Sequence, residues 1–271
     1  MAAGPGEGPL VVLLHGFPEF WYGWRRQLGP LAAAGFRVLA PDLRGYNLSA
    51  KPAGLAAYTL DVLADDVLGL AEALGRRRFA IVGHDWGGVL AWHLAAREPA
   101  RITRAAILNA PHPATMGAFA RAHPSQLARS WYVAFFQLPA LPERVLRAGD
   151  FAWLANGLTG SSRSGTFAQD DLARYREAWA RPGALTAMLA WYRAVRLQQP
   201  PTTPERVEVP VRVIWGDRDR FLDARLAEAG AACCAQANVH HLRRASHWVQ
   251  HEEPEAVNRL LAEFLTPEAG T

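Results

Sequence analysis

Short, wholly apolar runs recur along the chain, separated by stretches whose apolar positions fall on one helical face. Leu10–His15 reads LVVLLH, a continuous run of the kind a strand shows when both of its faces are covered. A helical stretch around Trp21–Ala33 follows, and then a second strand over Arg37–Ala40. Thr59 stands where it would cap an amphipathic helix over Leu60–Leu74 that stops at Gly75. Phe79–Val82 predicts a third strand, Gly87–Arg97 a helix and Ala105–Leu108 a fourth strand. Strands alternating with helices in this way imply a parallel, doubly wound sheet.

The alternation then breaks. From about Thr115 to Thr203 the pattern predicts helices separated by proline and glycine, with no strand among them. It resumes as a strand at Val211–Trp215, a helix at Leu222–Ala235, a strand at Val239–Leu242 and a helix at Pro254–Phe264. The expected architecture is an α/β sheet domain with a helical block inserted as a lid over the sheet's carboxyl edge. Its parts are core over 1–113, cap over 114–204 and core again over 205–271.

Composition narrows the field. With 271 residues, half of them hydrophobic and a fifth charged, the chain can bury a sizeable core and is no disordered polymer. No apolar run approaches the roughly 18 residues that span a bilayer. The opening MAAGPGEGP has no basic stretch leading into an apolar one, so a cytoplasmic protein without a membrane partner is expected. The formal charge of +4 is scattered, and its one tight run, Arg76–Arg78, lies between a helix and a strand, so nucleic acid is not an expected partner. Cys233 and Cys234 are adjacent in the helix predicted for Leu222–Ala235, where they are poorly placed to bridge each other. No HExxH is present and His247 with His251 is a lone i,i+4 pair, so no metal site is expected.

The chemistry concentrates in Val82–Gly88, VGHDWGG, between a predicted strand and a predicted helix. A sharp strand-to-helix turn forces its central residue into strained backbone angles and needs small neighbours, here Gly83, Gly87 and Gly88. The exposed residue of that turn is Asp85, at a helix N-terminus that favours an anion. A carboxylate nucleophile suits strained or halogenated sp³ carbon, and its attack leaves an alkyl ester that water must cleave. His247, in the segment after the last strand, is the expected base. Of the two acids in WGDRD (Trp215–Asp219), the Gly-x-x-Asp spacing points to Asp219 as the one that orients it, leaving Asp217 as a loop residue, solvated or paired with arginine. The backbone amides of Phe17 and Trp86 are the expected oxyanion donors.

Four segments in order, HGFPEFWYGW (His15–Trp24), PDLRGYNLSAKP (Pro41–Pro52), VGHDWGG (Val82–Gly88) and SHW (Ser246–Trp248), resemble the epoxide hydrolases of the α/β-hydrolase superfamily. The resemblance covers essentially the whole chain. It implies a helical cap, no cofactor, and two cap tyrosines that hydrogen-bond the epoxide oxygen and protonate it as it leaves. SWYVAFFQLP (Ser130–Pro139) is similar to the first tyrosine motif and WYR (Trp191–Arg193) to the second, which puts Tyr132 and Tyr192 in those roles. Phe17, Trp86, Trp131 and Trp248 are then expected to meet a small apolar epoxide, with water as the second substrate, in a monomer or homodimer. Haloalkane and fluoroacetate dehalogenases share the aspartate elbow and remain the alternative, although they often carry Asn where Phe17 stands, or Arg where Trp86 stands. Asn109, at the end of the fourth strand, cannot serve as the alternative acid that some dehalogenases use, which again favours Asp219. A small-molecule receptor on the same fold is a further alternative, with little need of all three residues. Relatives usually have a β-hairpin ahead of the first strand legible here, so about six strands are expected, with Val11–Leu14 central.

Overall fold

A computed structural model describes residues 1–197 and 206–266 of the chain, so the expected cap boundary at 204–205 lies outside the described residues. Strand β1 is Ala2–Ala3, β2 Leu10–Leu14, β3 Arg37–Leu39, β4 Phe79–His84, β5 Ile102–Leu108, β6 Val211–Gly216 and β7 Ala237–Leu242. They form one sheet in the order β1-β3-β2-β4-β5-β6-β7. All pairs are parallel except β1 with β3. The sheet is therefore one strand larger than the apolar runs predict. Ala2–Ala3 has no strand pattern of its own; it is drawn onto β3 as the Met1 amino group donates to the Ala40 carbonyl at 2.7 Å. Ahead of β2 this two-residue strand stands instead of a hairpin.

Strand β2 explains its own uninterrupted apolar sequence. Leu10, Val12 and Leu14 join the core on one face of the sheet, and Val11 and Leu13 the core on the other. The first core is closed by helices α2 (Leu60–Ala73) and α3 (Trp86–Arg97), the second by α1 (Arg25–Ala33) and α12 (Pro254–Leu265).

Among the described residues between β5 and β6 the α-helices are α4 (Pro113–Ala122), α5 (Pro124–Arg129), α6 (Trp131–Phe135), α7 (Leu141–Ser161, broken at Ala148–Phe151), α8 (Gln169–Ala180) and α9 (Ala184–Ala194). Two fully buried indoles dock this insertion on the sheet domain. Trp179 donates to the Pro18 carbonyl at 2.6 Å and Trp191 to the Arg44 carbonyl at 2.9 Å. Burying a tryptophan contributes up to about 5 kcal/mol of apolar transfer before ordering costs.

Three local expectations give way. The segment Trp21–Trp24 is a 3₁₀ turn and α-helix starts at Arg25. Thr59 occupies the N-cap position, but its hydroxyl donates backward to the Ala56 carbonyl at 3.3 Å and caps no helix amide. Helix α10 is confined to Leu226–Ala231, because the Asp219 carboxylate holds the Phe221 and Leu222 amides in a turn at one end. At the other end Cys234 bridges to Val207. Cys233 and Cys234 thus lie past that helix as free, half-buried thiols. The last elements are α11 (Val249–Glu252) and α12.

Candidate active site

The turn from β4 into α3 brings Asp85 to the carboxyl edge of the sheet with φ 52° and ψ −122°. A non-glycine residue there is strained, and only dense surroundings hold it. A Cβ on Gly83 would lie 2.2 Å from the Gly87 carbonyl oxygen, and one on Gly87 2.1 Å from that of Leu14. On Gly16 it would lie 2.4 Å from Asp85 Oδ1. The glycines are the condition for Asp85 to stand where it does.

The two oxygens of Asp85 have different neighbours. Oδ1 accepts from the Phe17 amide at 2.8 Å, and Oδ2 lies 3.6 Å from His247 Nε2. The Trp86 amide is the first of α3, at the helix end where N–H groups lack intrahelical acceptors. His247 Nδ1 is 2.7 Å from Asp219 Oδ2, in a buried pair. Asp219 takes three further donors: the amides of Phe221 and Leu222 at 2.7 and 3.0 Å, and Asn109 Nδ2 at 2.8 Å. Asp217 faces outward instead, 2.5 Å from His241 Nδ1, where an arginine or solvent was expected.

Burial works against a charged imidazole, but the carboxylates of Asp219 and Asp85 outweigh it and push the His247 pKa up to about 10. Burial likewise disfavours charge on Asp219, and here His247 and the surrounding donors win, holding the carboxyl below its ordinary range.

Asp85 and His247 open onto a cavity of about 320 Å³ walled by Phe17, Tyr132, Trp153, Tyr192, Phe221 and Trp248, among others. The Tyr132 and Tyr192 rings are 6.1 Å apart, nearly perpendicular. Burial, with Asp85's negative charge adding to it, raises both phenol pKa values, so each hydroxyl keeps its proton. Trp131 lines the cavity while remaining 58% exposed, which marks the rim. Trp248 anchors its indole on Ser161 Oγ at 2.8 Å. Trp86 lies behind Tyr192, with ring centres 5.0 Å apart, and is not part of the cavity lining.

The structure also gives partners to residues the sequence left without a role. Asn109 donates to Asp219 and accepts from the Gly216 amide at 2.9 Å, so it holds the acid it does not replace. Glu19, the fifth residue of HGFPE, is buried against His251 Nε2 at 2.7 Å, Tyr175 Oη at 2.5 Å and His84 Nδ1 at 3.4 Å. His84 Nε2 in turn lies 2.8 Å from the His247 carbonyl. Burial alone would raise the Glu19 pKa, but His251 and His84 hold it well below the usual carboxylate range. His251 faces Glu19 and Arg25, so it does not converge with His247 on a common point.

The parallel sheet, the sharp β4–α3 turn that carries Asp85 and the His247–Asp219 pair beside it fit the α/β-hydrolase class. The profile of the α/β hydrolase fold family matches residues 9–254. The AB hydrolase superfamily protein YfhM of Bacillus subtilis (strain 168) is 47% identical over 97% of this chain and 92% of its own length. Epoxide hydrolase 4 of Mus musculus is 37% identical over 99% of this chain and 76% of its own. The crystal structure of the Bacillus megaterium epoxide hydrolase in complex with an inhibitor superposes with a TM-score of 0.88 at 32% identity, covering 98% of this chain and 95% of that one. The chain belongs to the α/β-hydrolase fold family, among relatives named as epoxide hydrolases. Among the described residues no helix is long and apolar enough to cross a membrane.

Proposed function

We propose that the protein converts small apolar epoxides to vicinal diols through an ester on Asp85. Helices α4–α9 act as the cap, and its two tyrosines carry the distinction from a dehalogenase. Opening an epoxide leaves an alkoxide that needs a proton, whereas a departing halide needs none. The observation that carries the reading is that Tyr132 and Tyr192, both kept protonated, share one cavity with the Asp85 carboxylate.

Asp85 Oδ2 attacks a ring carbon, the C–O bond breaks, and a tyrosine gives its proton to the leaving oxygen. Esterified, Asp85 carries no charge, so one of the two supports of the His247 proton is lost. His247 then returns a proton to the tyrosinate and becomes a free base. It next takes a proton from water, which attacks Asp85 Cγ. The oxyanion develops on Oδ1, where the Phe17 amide already donates, with the Trp86 amide as the second donor. Collapse releases the diol and restores the carboxylate beside a protonated His247. General-base assistance of this kind supplies about 10²–10⁴ in rate.

The test is His247→Gln mixed with styrene oxide. The peptide containing Asp85 gains the mass of the hydroxyalkyl ester, and wild-type enzyme in labelled water places the first label in its own carboxylate. A first-turnover label in the diol, with no adduct, refutes the covalent route. Halide release from haloalkanes without diol formation from epoxides selects the dehalogenase.

A further inference from the structure

The loop carrying Asp219 has neither strand nor helix from Asp217 to Arg225, so its backbone groups must find partners elsewhere. Two side chains of α5 supply them. Gln126, fully buried, donates through Nε2 to the Phe221 carbonyl at 2.8 Å and accepts from the Asp223 amide at 2.8 Å. Arg129 Nη1 donates to the carbonyls of Asp219 at 2.8 Å and Leu222 at 3.3 Å. Four backbone groups within five residues are thereby fixed from a helix 90 or more positions earlier in the chain. A buried glutamine is costly unless both ends of its amide are satisfied; here the oxygen and one N–H serve this loop and the other N–H donates to Ser130 Oγ at 2.9 Å.

The loop meets the catalytic histidine twice. Asp219 bonds its Nδ1, and the Phe221 ring packs edge-on against the imidazole with centres 5.2 Å apart. A small shift of the loop therefore displaces the histidine's acid and its side wall together. The Phe221 ring also meets that of Tyr132, with centres 5.9 Å apart, but helix α6 is braced independently of the loop, through Gln137 on the Tyr192 carbonyl at 3.1 Å and Arg193 on the Phe136 carbonyl at 2.8 Å.

We infer that Gln126 and Arg129 are positioning residues that clamp the Asp219 loop to the cap and so set the rate of ester hydrolysis rather than of epoxide opening. The inference rests on the covalent reading above. In that reading only the second half-reaction needs His247 as a base, so loosening its acid slows ester decay and spares ester formation. Misplacement of a reacting group by an ångström costs up to about a hundredfold, and a loosened loop moves less than that.

The experiment is rapid-quench mass spectrometry of the full-length protein with styrene oxide, following formation and decay of the Asp85 ester separately. Gln126→Leu and Arg129→Met are each expected to slow decay about tenfold, the effect of losing roughly 1.4 kcal/mol of hydrogen bonding, with formation within about twofold of wild type. The pH midpoint of ester decay moves down, because His247 loses part of the support of Asp219. Arg129→Lys, which keeps one donor, recovers most of the rate. Should Gln126→Leu fail to fold, Arg129→Met, at a half-buried position, carries the test. Equal slowing of both steps, or a lowered melting temperature with both rates unchanged, overturns the clamp. A wild-type enzyme that forms no ester removes the covalent reading and the clamp with it, whereas normal ester decay in the variants removes the clamp alone.

Discussion

Replacing Asp85 by Asn should return His247 toward an ordinary histidine. The substitution keeps the shape, and its amide oxygen still accepts from the Phe17 amide, but the charge 3.6 Å from His247 Nε2 is gone. Two unit charges at that separation interact by about 4.6 kcal/mol at an effective dielectric constant of about 20. That corresponds to roughly three pKa units, and partial solvent access to Asp85 trims it to between about two and three. From about 10 in the resting enzyme, His247 should therefore fall to about 7–8 in the variant. In the covalent route proposed above, the variant imitates the charge state of the ester, and the same shift would free the base for the second half-reaction. Titration of the His247 ring by ¹⁵N NMR in both proteins reads it directly. A shift below half a unit would show that Asp219 alone holds the proton, and the proposed activation of the base by esterification would be wrong.

Tyr132→Phe and Tyr192→Phe should each slow ester formation, and the double variant should lose about 10²–10⁴ in rate with an unchanged circular dichroism spectrum; near wild-type turnover by the double variant would sink the epoxide-specific reading. Gly83→Ala forces a Cβ to within 2.2 Å of the Gly87 carbonyl oxygen, where backbone has to move, and should cost about 3 kcal/mol in urea unfolding; a loss under about 1 kcal/mol would mean that the elbow is looser than described. Folding raises the His247 pKa from an ordinary value near 6.5 to about 10, so its contribution to stability is complete below 6.5 and disappears as pH rises through 10. Across that window wild-type stability should decline relative to His247→Gln by up to about 1.4 kcal/mol per pH unit, and parallel curves for the two proteins would contradict the raised value.

What the sequence revealed and what it concealed divide along a physical line. Buried strands such as β2 announce themselves because both faces are apolar, and the elbow does so because only glycine tolerates such close backbone contact. Asp219 was legible from its place after β6, but its support was not. Asn109 and Arg129 reach it, and Gln126 reaches its loop, from positions far off in the chain, and no local pattern encodes a partner 90 or more residues away. The two-residue β1 was hidden for a related reason, since its pairing depends on the edge β3 offers and not on its own residues. Thr59 shows the reverse error: a residue suited to a cap found a nearer acceptor behind it. Glu19 and His84 sat in plain view inside two motifs, yet their meaning depends on His251 and Tyr175, which lie far along the chain.

The contacts of Glu19 bear on how such enzymes can be recombined. Its one buried carboxylate joins the loop after β2, the elbow residue His84, the segment after His247 and, through Tyr175, helix α8. The insertion is for that reason no interchangeable module. A chimaera that takes its α4–α9 segment from a relative inherits the wiring of a charge that belongs to the sheet domain. If the donor lacks a hydroxyl where Tyr175 stands, the recipient keeps Glu19 with one fewer donor in a place water does not reach. Exchange of specificity between family members is then easiest along the cavity rim near Trp131, and hardest at the few points where the two layers share a proton.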